Sequence, residues 1–243
     1  MKNNNKKENR GFYRPEVINK FAAAFKAARL QLEAGENFKT NISAQNSKMG
    51  PVASVSTLPF ITCPEACNNT CGRICYAAKI ANMYTNVRES YAKNTALAYY
   101  RRDQYFQDIN YYCAGCRFFR WHVSGDIIDF DYFVKMVGVA RNNPHCNFLA
   151  FTKRFFAVNK YVHENGGSIA AAIPENLHIM FSDCAGLEVF NPYNFPTTMI
   201  IETPDQFNEN KMKYCGGNCF NCACRASGCW KAAAGDIIAF KKH

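Results

Sequence analysis

No apolar run in this sequence approaches the roughly 18 residues that a membrane-crossing helix needs. The first ten residues, MKNNNKKENR, have no apolar stretch of the kind found in a secretory leader. The expectation is a cytoplasmic protein with no membrane partner. Histidine is sparse, with five residues scattered at His122, His145, His163, His178 and His243. There is no His-Glu-x-x-His pair for a zinc hydrolase, no Gly-Lys-Ser/Thr phosphate loop and no Gly-x-Ser-x-Gly nucleophile elbow. Internal repeats are absent too. The familiar routes to metalloprotease, nucleotide hydrolase and serine hydrolase chemistry therefore have no basis in the chain.

Cysteine is abundant by contrast. Thirteen cysteines in a chain read as cytoplasmic are not expected to pair as disulfides, and the odd number leaves any such framework incomplete. Hydrophobic residues make up 48% of the 243 residues, enough for the core of one large domain. The formal charge of +10 suits either a polyanionic partner such as nucleic acid or a plain basic protein. Part of it is local, at Lys2, Lys6, Lys7 and Arg10 and at Lys241 and Lys242.

Residues 1–13 read as a disordered lead-in, too polar and charged to offset the entropy of ordering. A helix is expected from Pro15 to about Gly35, with Phe21, Phe25, Ala28 and Leu32 on its core face. A loop at 46–51 precedes an extended stretch at 52–62. Helices are expected at 76–100 and 104–112. Beyond them strand candidates at 118–123, 147–151, 177–181 and 198–201 alternate with helices at 132–141 and 156–163. That alternation predicts an α/β domain over 14–205, with a parallel sheet covered by helices and a cysteine-rich segment, 206–243, packed on it. Ligands bind at the carboxyl ends of such strands. Asp126, Lys153, Asp183 and Glu202 stand there as candidate pocket residues.

The first chemical feature is Cys63, Cys67, Cys71 and Cys75, each four positions after the last. Pro64, Asn68-Asn69-Thr70 and Gly72 disfavour one continuous helix, so a loop folded around a metal is the better reading. Thiolates suit zinc or an iron–sulfur cluster. Structural zinc sites usually use close C-x2-C pairs, which this quartet lacks, so the cluster is favoured. The second feature packs Cys215, Cys219, Cys222, Cys224 and Cys229 into fifteen residues. Cys215, Cys219, Cys222 and Cys229 are the ligand candidates, for a structural zinc or a second 4Fe–4S cluster, with Cys224 as a substitute. Cys113 and Cys116 form half a zinc site with no second half in view. Cys146 and Cys184 read as small core hydrophobes. Strand alternation puts His122 and Ser124 on one side, where His122 is either a core histidine or faces a barrel interior. Arg120-Trp121 is a candidate nucleic-acid contact without a recognisable motif.

A thiol-rich loop leaving a strand, then Cys75-Tyr76-Ala77, a helix, and a strand ending in Ser124-Gly125-Asp126 resembles the radical S-adenosylmethionine enzymes. The resemblance implies a partial (β/α) barrel carrying a 4Fe–4S cluster on three cysteines, with an open iron that binds S-adenosylmethionine and cleaves it to a 5′-deoxyadenosyl radical. Ser124, Gly125 and Asp126 would then help place that cofactor, with Lys153 and Asp183 lining its pocket and the substrate unknown. The cysteine spacing departs from that superfamily's C-x3-C-x2-C. A closer resemblance is to the phage gene-product-88 family, whose activity is not established. It rests on Asn46-Ser47-Lys48, Leu58-Pro59, Cys63-Pro64, Cys71, Cys75-Tyr76-Ala77, Val87, Tyr91, Asn94, residues 120–126 and Phe151-Thr152-Lys153. It continues through Gly217-Asn218-Cys219, Cys222, Cys229-Trp230, Phe240 and His243. It implies that Cys63, Cys71 and Cys75 are the recurrent ligands and Cys67 a spare or a fourth.

Overall fold

The computed structural model describes residues 12–241 except 69 and 185. Most of the expected lead-in, together with Asn69 and His243, therefore lies outside the described residues. Phe12 and Tyr13, at the end of that stretch, are docked: the Phe12 N–H donates to Arg73 O at 2.9 Å, and Tyr13 meets the Phe60 ring edge-on.

Helix α1 spans Pro15–Glu33, with Pro15 in the first turn where a missing N–H costs nothing. Phe21, Ala28 and Leu32 are buried at helical spacing, and Gly35 turns the chain out at φ +87°. A short strand absent from the sequence expectation, β1 (Ile42–Ser43), pairs antiparallel with β2 (Ala53–Val55). The extended stretch expected at 52–62 is thus only three residues of strand, followed by turns. The single helix expected at 76–100 is two, α2 (Tyr76–Met83) and α3 (Thr85–Tyr100), broken at Tyr84 with φ −109° and ψ 114°. Helix α4 (Arg102–Cys113) follows.

Strands and helices then alternate: β3 (Phe118–Trp121), α5 (Phe130–Asn142), β4 (Asn147–Thr152), α6 (Phe155–Glu164), the single turn α7 (Ile169–Ala172), β5 (Leu177–Ser182) and β6 (Thr197–Ile201). The end of the chain adds β7 (Met212–Tyr214), the short helix α8 (Cys219–Cys224) and β8 (Ile237–Lys241). Among the described residues the eight strands form one sheet in the order β1-β2-β3-β4-β5-β6-β8-β7. Every pairing except β1–β2 is parallel. Among the described residues, no helix is long and apolar enough to cross a membrane.

The central strands are apolar on both faces because both are covered. Phe119, Trp121, Phe148, Ala150, Ile179 and Phe181 pack with the helices in the larger core. Their neighbours Phe118, Leu149 and Met180 face the other way, joining Met49, Ile238, Ala223 and Trp230 in a second core. The C-terminal cysteine segment is therefore a plug on the second face of the sheet. Burying each large side chain fully contributes about 1.5–3 kcal/mol.

Alternation stops at His122, whose φ of +52° ends β3 early. Its ring is buried, and Nε2 lies 2.9 Å from the Tyr132 hydroxyl, itself 2.9 Å from that of Tyr105. His122 is thus a core histidine on the helical side; the shared face with Ser124 fails because the backbone turns. Burial lowers its pKa to about 3 from 6.5. With the folded value depressed, the unfolded chain takes up the proton first as pH falls through 6.5. Stability is whole above that point and drains away down to about pH 3, by about 2 kcal/mol at pH 5. Urea midpoints measured from pH 7.5 to 4 are expected to fall over this window, with a shallower decline in His122→Phe. Equal declines in the two proteins would remove His122 as the cause.

Candidate metal centre

The turn after β3 and the loop after β2 are built into each other. Thr57 N donates to Ser124 O at 3.0 Å, the Thr57 and Thr62 hydroxyls are 3.0 Å apart, and Asp126 N donates to Thr62 Oγ1 at 3.2 Å. Gly125 sits between the two threonines at φ +81°. The Asp126 carboxylate is buried and occupied. It accepts from Thr152 Oγ1 at 2.6 Å, Ile127 N at 2.7 Å and Lys153 N at 2.8 Å. Burial nevertheless raises its pKa, against the pull of those donors. Arg154 closes the corner, with Nε on Ile127 O at 2.8 Å and Nη2 on Thr62 O at 3.1 Å, one residue before Cys63. The ends of β2, β3 and β4 therefore hold the start of the cysteine loop.

Within the loop, short 3-10 turns at Glu65–Cys67 and Cys71–Ile74 replace a continuous helix. Cys75 caps α2, its sulfur accepting from Ala78 N at 3.4 Å. Cys71 is the hub. Hydrogen bonds from the Cys184 and Cys67 thiols hold its pKa down. Those two thiols are correspondingly pushed up, mainly by the bond to Cys71. Cys63 and Cys75 are both raised by burial, with Cys71 among their charged neighbours. Lys153, from the end of β4, faces the same sulfurs. Burial opposes its charge, but Cys71, Asp126, Cys67 and Cys184 together keep the ammonium above its ordinary value.

Cys184 is the residue that spacing did not reveal: half-exposed just past β5, it meets Cys71 instead of packing as a core hydrophobe. Of the other pocket candidates, Asp183 is half-buried with its N–H on Thr198 O at 2.7 Å. Glu202 is exposed past β6, its N–H donating to Gln206 Oε1 at 2.6 Å. None of the predicted site residues lines the groove of about 540 Å³ between α1 and α3.

On the second face, Cys215 and Cys229 have Cys219 and Cys222 as neighbours, and burial pushes Cys229 up to about 12. Cys224 is exposed. Two basic side chains approach this group: Lys48, a charged neighbour of Cys215 and Cys219, and Arg120, whose Nη1 lies 3.4 Å from both Cys219 Sγ and Met49 Sδ. Arg120 also stacks over Phe151 at 4.5 Å and is half-buried, while Trp121 is fully buried. Tyr76, next to Cys75 in the chain, donates its hydroxyl to Val123 O at 3.3 Å and also has Cys219 among its neighbours. At the opposite end of the strands, Cys116 N donates to Cys113 O at 3.0 Å, and both thiols are raised with Cys146 as a neighbour, a grouping that spacing did not show.

The donors at the two sites are thiols, the right chemistry for a soft metal or an iron–sulfur cluster. As placed, the described residues include no group of three or more His, Cys, Asp or Glu arranged to hold a metal ion, so the sulfurs would have to draw together around one.

Fold and site together define an α/β protein with a mostly parallel sheet and thiol groups at the strand ends and on one sheet face. More particularly, the chain belongs to the gene product 88 family, whose model matches residues 18–184. The match takes in the first cysteine loop and Cys184, and stops before the C-terminal thiols. No curated protein and no solved structure matches the chain.

Proposed function

We propose that this is an iron–sulfur protein holding a 4Fe–4S cluster in the loop 63–75, at the carboxyl end of a partial (β/α) barrel. What supports this reading is that the Cys63, Cys67, Cys75, Cys184 and Lys153 side chains all interact electrostatically with Cys71, and that the turn carrying Cys184 and Gly186 lies against Thr70 of the loop. The sequential order of β2 to β6 supports the barrel. Cys215, Cys219, Cys222 and Cys229 form a second site, for a further cluster or a structural zinc.

If Cys63, Cys71 and Cys75 are the only ligands, one iron stays open and the site is that of a radical S-adenosylmethionine-like enzyme acting on an unidentified substrate. Ser124, Gly125, Asp126, Lys153 and Asp183 would then border the cofactor. A specific observation favours a second reading, a closed cluster with an electron-transfer or structural role: the Asp126 carboxylate is already engaged by Ile127 beside it and by Thr152 and Lys153 at the end of β4. Anaerobic purification and reconstitution with iron and sulfide should give a brown protein containing both. A colourless protein without iron would end the cluster reading. With the cluster formed, dithionite and S-adenosylmethionine decide between the two roles: 5′-deoxyadenosine supports the enzyme, and its absence supports the closed cluster.

A further inference from the structure

Cys184 and Cys71 are far apart in sequence, yet Cys184 is the neighbour that acts most strongly on the Cys71 thiol. A second contact fixes the same approach. A Cβ on Gly186, at φ +84°, would stand 3.4 Å from Thr70 Cγ2, so the turn after β5 lies directly on the cysteine loop. Both sides are anchored. Thr70 Oγ1 donates to Ala66 O and Cys67 O, each at 3.2 Å. On the other side Asp183 N holds Thr198 O at 2.7 Å, and Leu187 N closes the turn on Cys184 O at 3.0 Å. A thiol serving only as a small apolar filler would be expected inside the core, as Cys113 and Cys146 are, whereas Cys184 is half-exposed among sulfurs and a lysine.

We propose that Cys184 is a ligand of the cluster held by the first cysteine loop, supplying from the end of β5 the thiolate that closes the iron left open by Cys63, Cys71 and Cys75. The inference rests on the cluster reading. It makes the cluster a cross-link between the loop and the sheet, and it assigns a ligand role to a residue outside the evenly spaced quartet. Lys153, beside Cys71 and Cys184, offsets the negative charge that a fourth thiolate adds.

The test uses the full chain, reconstituted anaerobically, as wild type, Cys184→Ala, Cys184→Ser and Cys146→Ala. Iron and sulfide per chain and the electron paramagnetic resonance spectrum of the reduced protein are read for each. Cys184→Ala is expected to lose iron relative to wild type, and Cys184→Ser to retain more iron with an altered spectrum, because oxygen replaces sulfur on one iron. Cys146→Ala, a thiol at the other end of the strands, should match wild type. Circular dichroism identifies any variant that fails to fold, and because Cys184 is half-exposed, at least the serine variant should fold. If wild type loads normally and both Cys184 variants match it in iron, sulfide and spectrum, this inference falls and the cluster reading survives. If wild type takes up no iron, both fall together.

Discussion

Gly125→Ala is expected to destabilise the protein by about 2–5 kcal/mol, combining roughly 1–2 for a left-handed alanine with about 1–3 for overpacking. Gly125 has φ +81°, and an added Cβ would overlap Thr57 Oγ1 and Thr62 Oγ1. Neither threonine can swing away freely. Their hydroxyls bond each other, and Thr62 Oγ1 also donates to Leu58 O and accepts from Asp126 N. Against a total stability of 5–15 kcal/mol typical of a domain, such a loss is large. Gly138→Ala is the control. Nothing lies within 4 Å of its added Cβ, and it sits in the interior of α5, so the change should stabilise by about 0.5–1 kcal/mol. Urea unfolding of the three proteins should move the midpoint down for Gly125→Ala and slightly up for Gly138→Ala. Equal midpoints for Gly125→Ala and wild type would mean that this glycine is not needed for the turn, leaving close approach of a ligand as its reason.

The same corner shows how far the sequence could be read. The parallel sheet was legible because strands such as Asn147–Thr152 and Leu177–Ser182 are apolar on both faces and are separated by helix-length segments. The break at Tyr84 was not legible, since no glycine or proline marks it. It is held instead by Arg88, whose Nη1 bonds the Ala81 and Asn82 carbonyls at the end of α2, at 3.0 and 3.4 Å. Likewise, His122 takes a positive φ without being glycine, which ends the alternation early. The strand β8 was missed because it enters the sheet between β6 and β7, against chain order. For the site, even spacing marked the loop as a metal candidate, but spacing cannot report a contact between Cys71 and Cys184. Only the sheet, by placing the end of β5 beside the loop, creates it.

Cys71→Ala and Cys222→Ala should separate the two thiol sites, with the largest expected effect on metal content. Cys71 reaches Cys67 O at 3.6 Å and interacts electrostatically with Cys63, Cys75 and Cys184, so its loss should abolish loading at the first site. Cys222 is held by the plug itself. Gly228 turns over it at φ +57°, its added Cβ 3.5 Å from Cys222 Sγ, and Ser227 N donates to Cys222 O at 2.9 Å. A metal bound there would tie α8 to the turn that carries Trp230, and Trp230 fills the second core. Metal binding to the folded chain alone adds stability, about 2.7 kcal/mol when the free metal is at 100 times its dissociation constant. Cys222→Ala should therefore lower both the metal content and the urea midpoint, and a chelator should lower the midpoint of wild type but not of this variant. Cys71→Ala should keep the C-terminal metal, and elemental analysis of that variant identifies it as iron or zinc without interference from the first site. If Cys222→Ala keeps the wild-type metal content and midpoint, the C-terminal thiols hold no metal, and the plug is kept in place by Phe118, Phe220 and Trp230 packing alone.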